Sequence, residues 1–330
     1  MKRLALILPG RGSYTETSLG SLPPANERVR EAEAVRAEFD LEPLLELDGA
    51  PKFAKTRHLR PANVSALIYV KSVLDAEAAM AAGRAVVVTG NSMGWYTALA
   101  VAGSLSFADG FRLVQRMALL QEDCEPGGQI IYPLVDGDWQ PLREREISVE
   151  SALASAPAGE AFHSIHLGGY SVLAGSPGGL AHLTANLPAV QQGRVGYPFR
   201  LALHGPYHTP LSASVAERAR RLLEPISFQR PRVTLVDGFG RRHSPWSADV
   251  SELRNYTFGA QVTDTYDLTT ALRVVLREFA PDQLVLPGPG NSLGGVCGQA
   301  LVSLGWGGVH SRADFIRVQA EAEAPVWSMG

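Results

Sequence analysis

Val86-Val87-Val88-Thr89-Gly90-Asn91-Ser92-Met93-Gly94-Trp95-Tyr96-Thr97-Ala98-Leu99-Ala100 is the stretch that decides how this chain reads. A β-branched run passes into Gly-x-Ser-x-Gly and then into small, helix-forming residues. Strand, sharp turn and helix in that order make a nucleophile elbow, whose glycines allow a strained turn and close packing around it. Such a turn leaves the Ser92 hydroxyl at the C-terminal end of a strand and beside a helix N-terminus. Free backbone N–H groups there favour developing negative charge.

Two further buried strands flank this one in the sequence. Leu4–Leu8 runs into Pro9-Gly10-Arg11-Gly12-Ser13, and Gln283–Leu286 runs into Pro287-Gly288-Pro289-Gly290. The opening Met1–Gly10 has the basic start of a signal peptide, but its apolar run is too short, and it reads as a first strand. Helical patterns cover 64–79 and 107–121, the second with Ser106 as N-cap and Asp109 three residues on. Buried strands alternating with helices predict an α/β fold with a parallel sheet.

The middle of the chain has a different order. Strands are expected at 130–135, 162–167, 170–174 and 195–199, with helices near 149–156 and 178–187. This βαββαβ order is ferredoxin-like. The expectation is a large α/β domain made of 1–126 and 199–330, carrying the parallel sheet and the elbow, with 127–198 inserted as a ferredoxin-like small subdomain. The final stretch, 320–330, reads as a surface tail.

Composition sets the class. The chain has 330 residues, 45% hydrophobic and 19% charged, which is ample for a large core. A net charge of -3 argues against a nucleic-acid partner. No apolar run approaches the roughly 20 residues of a membrane span. The two cysteines, Cys124 and Cys297, have neither metal nor redox spacing, so no metal and a cytoplasmic location are expected.

Five motifs in order carry a resemblance. Pro9-Gly10-Arg11-Gly12-Ser13, Gly90-Asn91-Ser92-Met93-Gly94-Trp95-Tyr96, Ala102-Gly103-Ser104-Leu105-Ser106-Phe107-Ala108-Asp109, Gly205-Pro206-Tyr207-His208-Thr209-Pro210-Leu211 and Gly288-Pro289-Gly290 span nearly the whole chain. Together they resemble the malonyl-CoA:acyl-carrier-protein transacylases and the acyltransferase domains of fatty-acid and polyketide synthases. The resemblance implies a Ser-His dyad. Ser92 attacks a thioester carbonyl, and His208 removes its proton and later protonates the leaving thiol. It also implies backbone N–H donors of Arg11 and Met93 as the oxyanion hole, and a backbone carbonyl near Gln261 in place of a third acidic residue. Asp237 and Asp264 are the remaining acidic possibilities. Coenzyme A thioesters and phosphopantetheine are then substrates, with no bound cofactor, and the partners are an acyl-CoA and an acyl carrier protein. A thioester hydrolase that clears carrier proteins would use the same dyad and is the alternative.

This chain departs from the family at the acyl end. The arginine that pairs with the malonyl carboxylate falls, by ungapped counting, at Met117, which shares a stripe with Leu113 and Leu120. Arg11 and Arg60 stand where glutamines are usual. The acyl group is therefore either uncharged, or its carboxylate is held by Arg11 or Arg60. Tyr207 and Gln261 complete the candidate substrate-binding set, and Trp95 is expected to narrow the pocket. Basic candidates for a carrier surface are Arg194, Arg200, Arg218, Arg220 and Arg221.

Overall fold

The computed structural model describes residues 1–124 and 126–330. Its strands, in chain order, are β1 (Arg3–Leu8), β2 (Arg84–Gly90), β3 (Gly128–Pro133), β4 (Ala161–Leu167), β5 (Tyr170–Gly175), β6 (Val190–Gln192), β7 (Val195–Tyr197), β8 (Phe199–Arg200), β9 (Thr234–Val236), β10 (Arg242–His243), β11 (Tyr266–Asp267), β12 (Gln283–Leu286) and β13 (Val326–Ser328). The larger sheet has the order β10-β9-β2-β1-β12-β13. It is parallel except for the β9–β10 edge pair. Residues Leu4–Leu8 at its centre are buried, as expected for a strand with helices on both faces.

The smaller sheet has the order β11-β4-β5-β3-β8. Its four strands β3, β4, β5 and β8 pair antiparallel with one another and lie in the ferredoxin-like order 4-1-3-2, with helices Arg143–Ala154 and Pro177–Asn186 as the two crossovers; β11 adds in parallel beside β4. A separate core of Ile130, Tyr132, Val149, Leu173, Leu180 and Leu183 fills the space under those helices. The sheet also reaches past residue 198, taking β8 and β11 from the following chain.

Three local expectations need correction. The strand expected at 195–199 is divided: β7 pairs with β6 in a hairpin of its own, and β8 pairs with β3. Pro198 lies at the break, and proline has no N–H to give a ladder. The helix expected near 149–156 starts earlier, at Arg143. The tail expected at 320–330 supplies β13, which pairs in parallel with β12 and buries Val326 against the core. Three residues are too few to show a strand period, yet they complete a sheet edge.

The elbow is the tightest point of the fold. A Cβ added at Gly90 would overlap the Gly94 carbonyl, and one added at Gly94 would overlap the Leu8 carbonyl of β1. Both glycines are therefore required by close backbone approach, and Ser92 between them takes a left-handed φ of 54°. Gly94→Ala should lower stability by about 1–3 kcal/mol through overpacking. A urea melt would read this as a reduced midpoint, and an unchanged midpoint would mean that the turn relaxes freely.

Candidate active site

Ser92, in the turn after β2 of the larger sheet, and His208, in the loop after β8 of the smaller sheet, meet in the structure. The Ser92 Oγ lies 2.7 Å from the His208 Nε2. On the other side of the ring, His208 Nδ1 is 2.6 Å from the backbone carbonyl of Gln261. A carbonyl only accepts, so Nδ1 carries the proton and a neutral ring presents its Nε2 lone pair to the serine hydroxyl. The Gln261 side chain closes the loop. Its Nε2 donates to the Ser92 carbonyl at 3.1 Å, and its Oε1 accepts from the Tyr96 hydroxyl at 2.6 Å.

Among the described residues no carboxylate takes part in this relay. Asp237 is fully buried and accepts from the His243 ring at 2.9 Å and from the Phe239 and Arg241 N–H groups. Asp264 is exposed and accepts from the Thr263 hydroxyl. The histidine is instead held by its surroundings. It sits at a φ of 57° after Tyr207, whose carbonyl accepts from the Ser164 hydroxyl of β4 at 2.7 Å. Ser164 accepts in turn from Gln129 of β3, and Gln129 accepts from His204. The smaller sheet thus buttresses the loop that carries His208.

Electrostatics keep the ring neutral. Burial pushes the His208 pKa down to about 4; the Gln261 carbonyl works against this, and the nearby Arg11 charge adds to it. His204 is driven down to about 3, by burial first and then by Arg11 and His208. Neutral histidine is the form that accepts a proton from serine, so the base is ready across the neutral pH range.

Two residues lining the chamber keep a backbone donor open. Among the described residues, neither the Met93 nor the Arg11 N–H donates to a protein acceptor. Met93 is the N-cap of helix Gly94–Val101, and Arg11 lies in the loop after β1. Open N–H groups next to a nucleophile are what an oxyanion needs.

The serine opens onto two spaces. A narrow chamber, lined by Arg11, Ser92, Tyr96, Gln121, His208 and Gln261 among others, leaves about 10 Å³ free. That is roughly the room of one water molecule. A cleft of about 600 Å³ runs the other way between the two sheets, past Tyr14, Phe53, Ile165, Val172 and Leu293. Arg11, Ser92 and Tyr207 line both. Among the described residues no cluster of three or more His, Cys, Asp or Glu could hold a metal ion, and no helix is long and apolar enough to cross a membrane.

The remaining candidates separate. Tyr207 is buried at the boundary of the two spaces and lies under the Arg11 guanidinium, 4.4 Å from ring centroid to Cζ. Arg60 does not line either space; it forks onto the Glu122 carboxylate. Met117 is 1% exposed and belongs to the core with Leu113 and Leu120. Trp95, expected to narrow the pocket, points into the core instead, where its Nε1 donates to Thr257 and its ring meets Tyr256 edge-on. Gln121 was not singled out from sequence. It lies four residues after Met117, on the same helix face, and the spacing alone was the signal that could have found it. Of the basic candidates, Arg218 pairs with Asp123 and Arg221 with Glu217, while Arg194 and Arg200 are exposed.

Known proteins show the same arrangement of chain. No family model matches the sequence. A malonyl CoA-acyl carrier protein transacylase of Haemophilus influenzae is 26% identical over 244 residues, 72% of this chain and 74% of its own. One from Mycobacterium bovis is 27% identical over 319 residues, covering 94% of this chain and 97% of its own. Among solved structures, the malonyl-CoA:ACP transacylase of Synechocystis sp. PCC 6803 superposes with a TM-score of 0.74 at 19% identity, covering 91% of this chain and 94% of its own. A malonyl-transacylase in complex with a type II PKS acyl-carrier protein also gives 0.74, at 19% identity, covering 91% and 93%. The resemblance carried by the five motifs is borne out by these relatives, and the fold is theirs.

The depressed His208 pKa makes a prediction about pH. The acid limb of Ser92 acylation should fall near pH 4, well below the ordinary histidine value of about 6.5. Stability follows the same sign. Between about pH 6.5 and 4 the unfolded chain binds the protons that folded His208 and His204 refuse, so stability falls as pH falls through that window. A pH–rate profile of acyl-enzyme formation with a limb near 6.5 would show that the ring is hydrated when it works.

Proposed function

We propose that the chain is an acyltransferase that moves a malonyl-type acyl group from a coenzyme A thioester to an acyl carrier protein through an acyl-serine intermediate. The observation that carries this reading is the uninterrupted relay Ser92 Oγ, His208 imidazole, Gln261 carbonyl at the meeting point of a narrow chamber and a long apolar cleft. In the first half-reaction the Ser92 Oγ bonds to the thioester carbonyl carbon as its proton passes to His208 Nε2. The tetrahedral oxygen is received by the Arg11 and Met93 N–H groups. The C–S bond then breaks, and His208 returns the proton to the departing thiolate. The second half-reaction is the reverse, with a carrier phosphopantetheine thiol as the nucleophile. Nothing is oxidised, and the substrates bring their own CoA and phosphopantetheine, so the chemistry calls for no bound cofactor.

The shape of the two spaces suits this division. The acyl group is taken on the chamber side, whose walls must move apart to admit more than one water's volume, and the cleft takes the pantetheine arm, whose length and partly apolar character match its lining. The expected 127–198 insertion then acts as the second wall of the cleft. Arg194 and Arg200, exposed beside that wall, are candidates for steering an acidic carrier. A cytoplasmic setting agrees with a chain of two cysteines.

Intact-protein mass spectrometry tests the reading. Wild-type protein mixed with malonyl-CoA should gain one acyl mass, Ser92→Ala should gain none, and His208→Ala should acylate about 10²–10⁴-fold more slowly with an unchanged fold. Normal labelling of Ser92→Ala would overturn the dyad. Following the acyl-enzyme with and without a holo acyl carrier protein separates transfer from hydrolysis. Decay should be slow alone and accelerate with the carrier, and fast decay that ignores the carrier would assign a hydrolase.

A further inference from the structure

Arg11 brings a positive charge to the reacting serine, and no described residue forms an ion pair with it. Its side chain lines both the narrow chamber and the cleft. The Nη1 is shut off from solvent and has no hydrogen-bond partner among the described residues. The guanidinium rests on the Tyr207 ring, which offers a π face but no acceptor in the guanidinium plane. Among the described residues no Asp or Glu lines the chamber, and Glu16, the one acid along the cleft, is exposed.

Buried arginine elsewhere in this chain is treated differently. Arg36 is fully buried, and its guanidinium is satisfied by the Glu42 and Ala62 carbonyls and by the Gln115 and Asn63 side chains. Arg60 is closed onto Glu122. Unlike the buried Arg36, Arg11 keeps a buried donor open, and unlike the exposed Arg60 it has no carboxylate partner among the described residues; it does so beside the nucleophile. A guanidinium presents parallel N–H donors that match a carboxylate, and an anion arriving from solution supplies the missing partner. The charge reaches the site electrostatically as well, since it helps to lower the pKa of both His208 and His204.

The helix that flanks the chamber offers no charge to do this instead. Met117 is packed in the core, and the next residue on its face, Gln121, places a neutral amide on the chamber wall. An amide donates a hydrogen bond to a carboxylate but does not neutralise it.

We infer that the Arg11 side chain, with Gln121 as a neutral second donor, holds the free carboxylate of a short dicarboxylic acyl group on Ser92. The acyl specificity is thereby read from the loop after β1 and not from helix Phe107–Glu122. This rests on the acyl-serine mechanism proposed above. One residue then serves both ends of a malonyl-type group: its backbone N–H meets the reacting carbonyl oxygen, and its side chain meets the carboxylate one methylene away.

The test is the ratio of single-turnover acylation rates with malonyl-CoA and acetyl-CoA, read by intact mass. A ratio cancels any general damage to the oxyanion site or to folding that a change at Arg11 brings. Wild-type protein should favour malonyl, and Arg11→Gln should reduce the malonyl-to-acetyl ratio by roughly ten- to a hundredfold, the usual worth of a charge-assisted hydrogen bond. Gln121→Glu is the independent arm. It gives Arg11 an internal carboxylate, so malonyl acylation should fall more than acetyl acylation. An unchanged ratio in both variants, or a wild-type preference for acetyl, would overturn the assignment of Arg11 while leaving the acyl-serine in place. Failure of Ser92 to take an acyl group from either thioester would instead overturn the transacylase reading itself.

Discussion

The backbone of the elbow touches the backbone of β1, and the site is assembled around that contact. Gly94 leaves no room for a side chain against the Leu8 carbonyl, and Gly90 leaves none against Gly94. The closeness brings the loop after β1 alongside the turn of β2, so that Arg11 and Met93 line the same chamber as Ser92. It also forces Ser92 into a left-handed conformation that turns its hydroxyl out of the sheet. Strain at one residue is over-determined by the packing of two strands and a helix. The nucleophile is therefore set in place before any substrate arrives.

A backbone carbonyl gives His208 the orientation that a carboxylate gives in a triad, while burial acts on its charge in the opposite sense. An acidic partner would raise the histidine pKa and stabilise the imidazolium. Here a carbonyl orients the ring, while desolvation and the Arg11 charge keep it neutral. The ring is a weaker base, but it is wholly in the reactive form at neutral pH. The carbonyl is itself secured because the Gln261 side chain bonds to Ser92 and Tyr96. The smaller sheet contributes through Gln129 and Ser164, which hold the Tyr207 carbonyl just before the histidine. Each wall of the cleft therefore also positions one member of the dyad.

Legibility followed the strength of local signals. The elbow, the strands Arg3–Leu8 and Gln283–Leu286 and the helix Phe107–Glu122 were readable because long apolar runs, glycines and an N-cap mark them directly; Ser106 does accept from Asp109 at 3.1 Å. The ferredoxin-like order of the middle segment was readable for the same reason. Short elements were not. The β13 strand has three residues, and β8 has two, and such pieces become strands only when a neighbouring edge offers its hydrogen bonds. Among the site candidates, Ser92 and His208 stood inside rigid motifs. Arg60 and Met117 were placed by counting along the chain, and counting cannot see that Glu122 captures the one or that the core absorbs the other.

What the sequence by itself determined was the kind of chemistry: a serine on a strained turn, a histidine in a proline-bounded loop and glycine-rich loops at strand ends. These follow from backbone sterics and local periodicity, which act over a few residues. The direction of each side chain and the partner it finds were decided only by the tertiary structure. Arg11 and Arg60 are the same residue type in comparable loops, yet one is neutralised by Glu122 and the other keeps an open, buried N–H beside Ser92. Whether a charge is spent on the protein or held for a ligand depends on which groups the fold brings within hydrogen-bonding distance, and those groups lie far away along the chain.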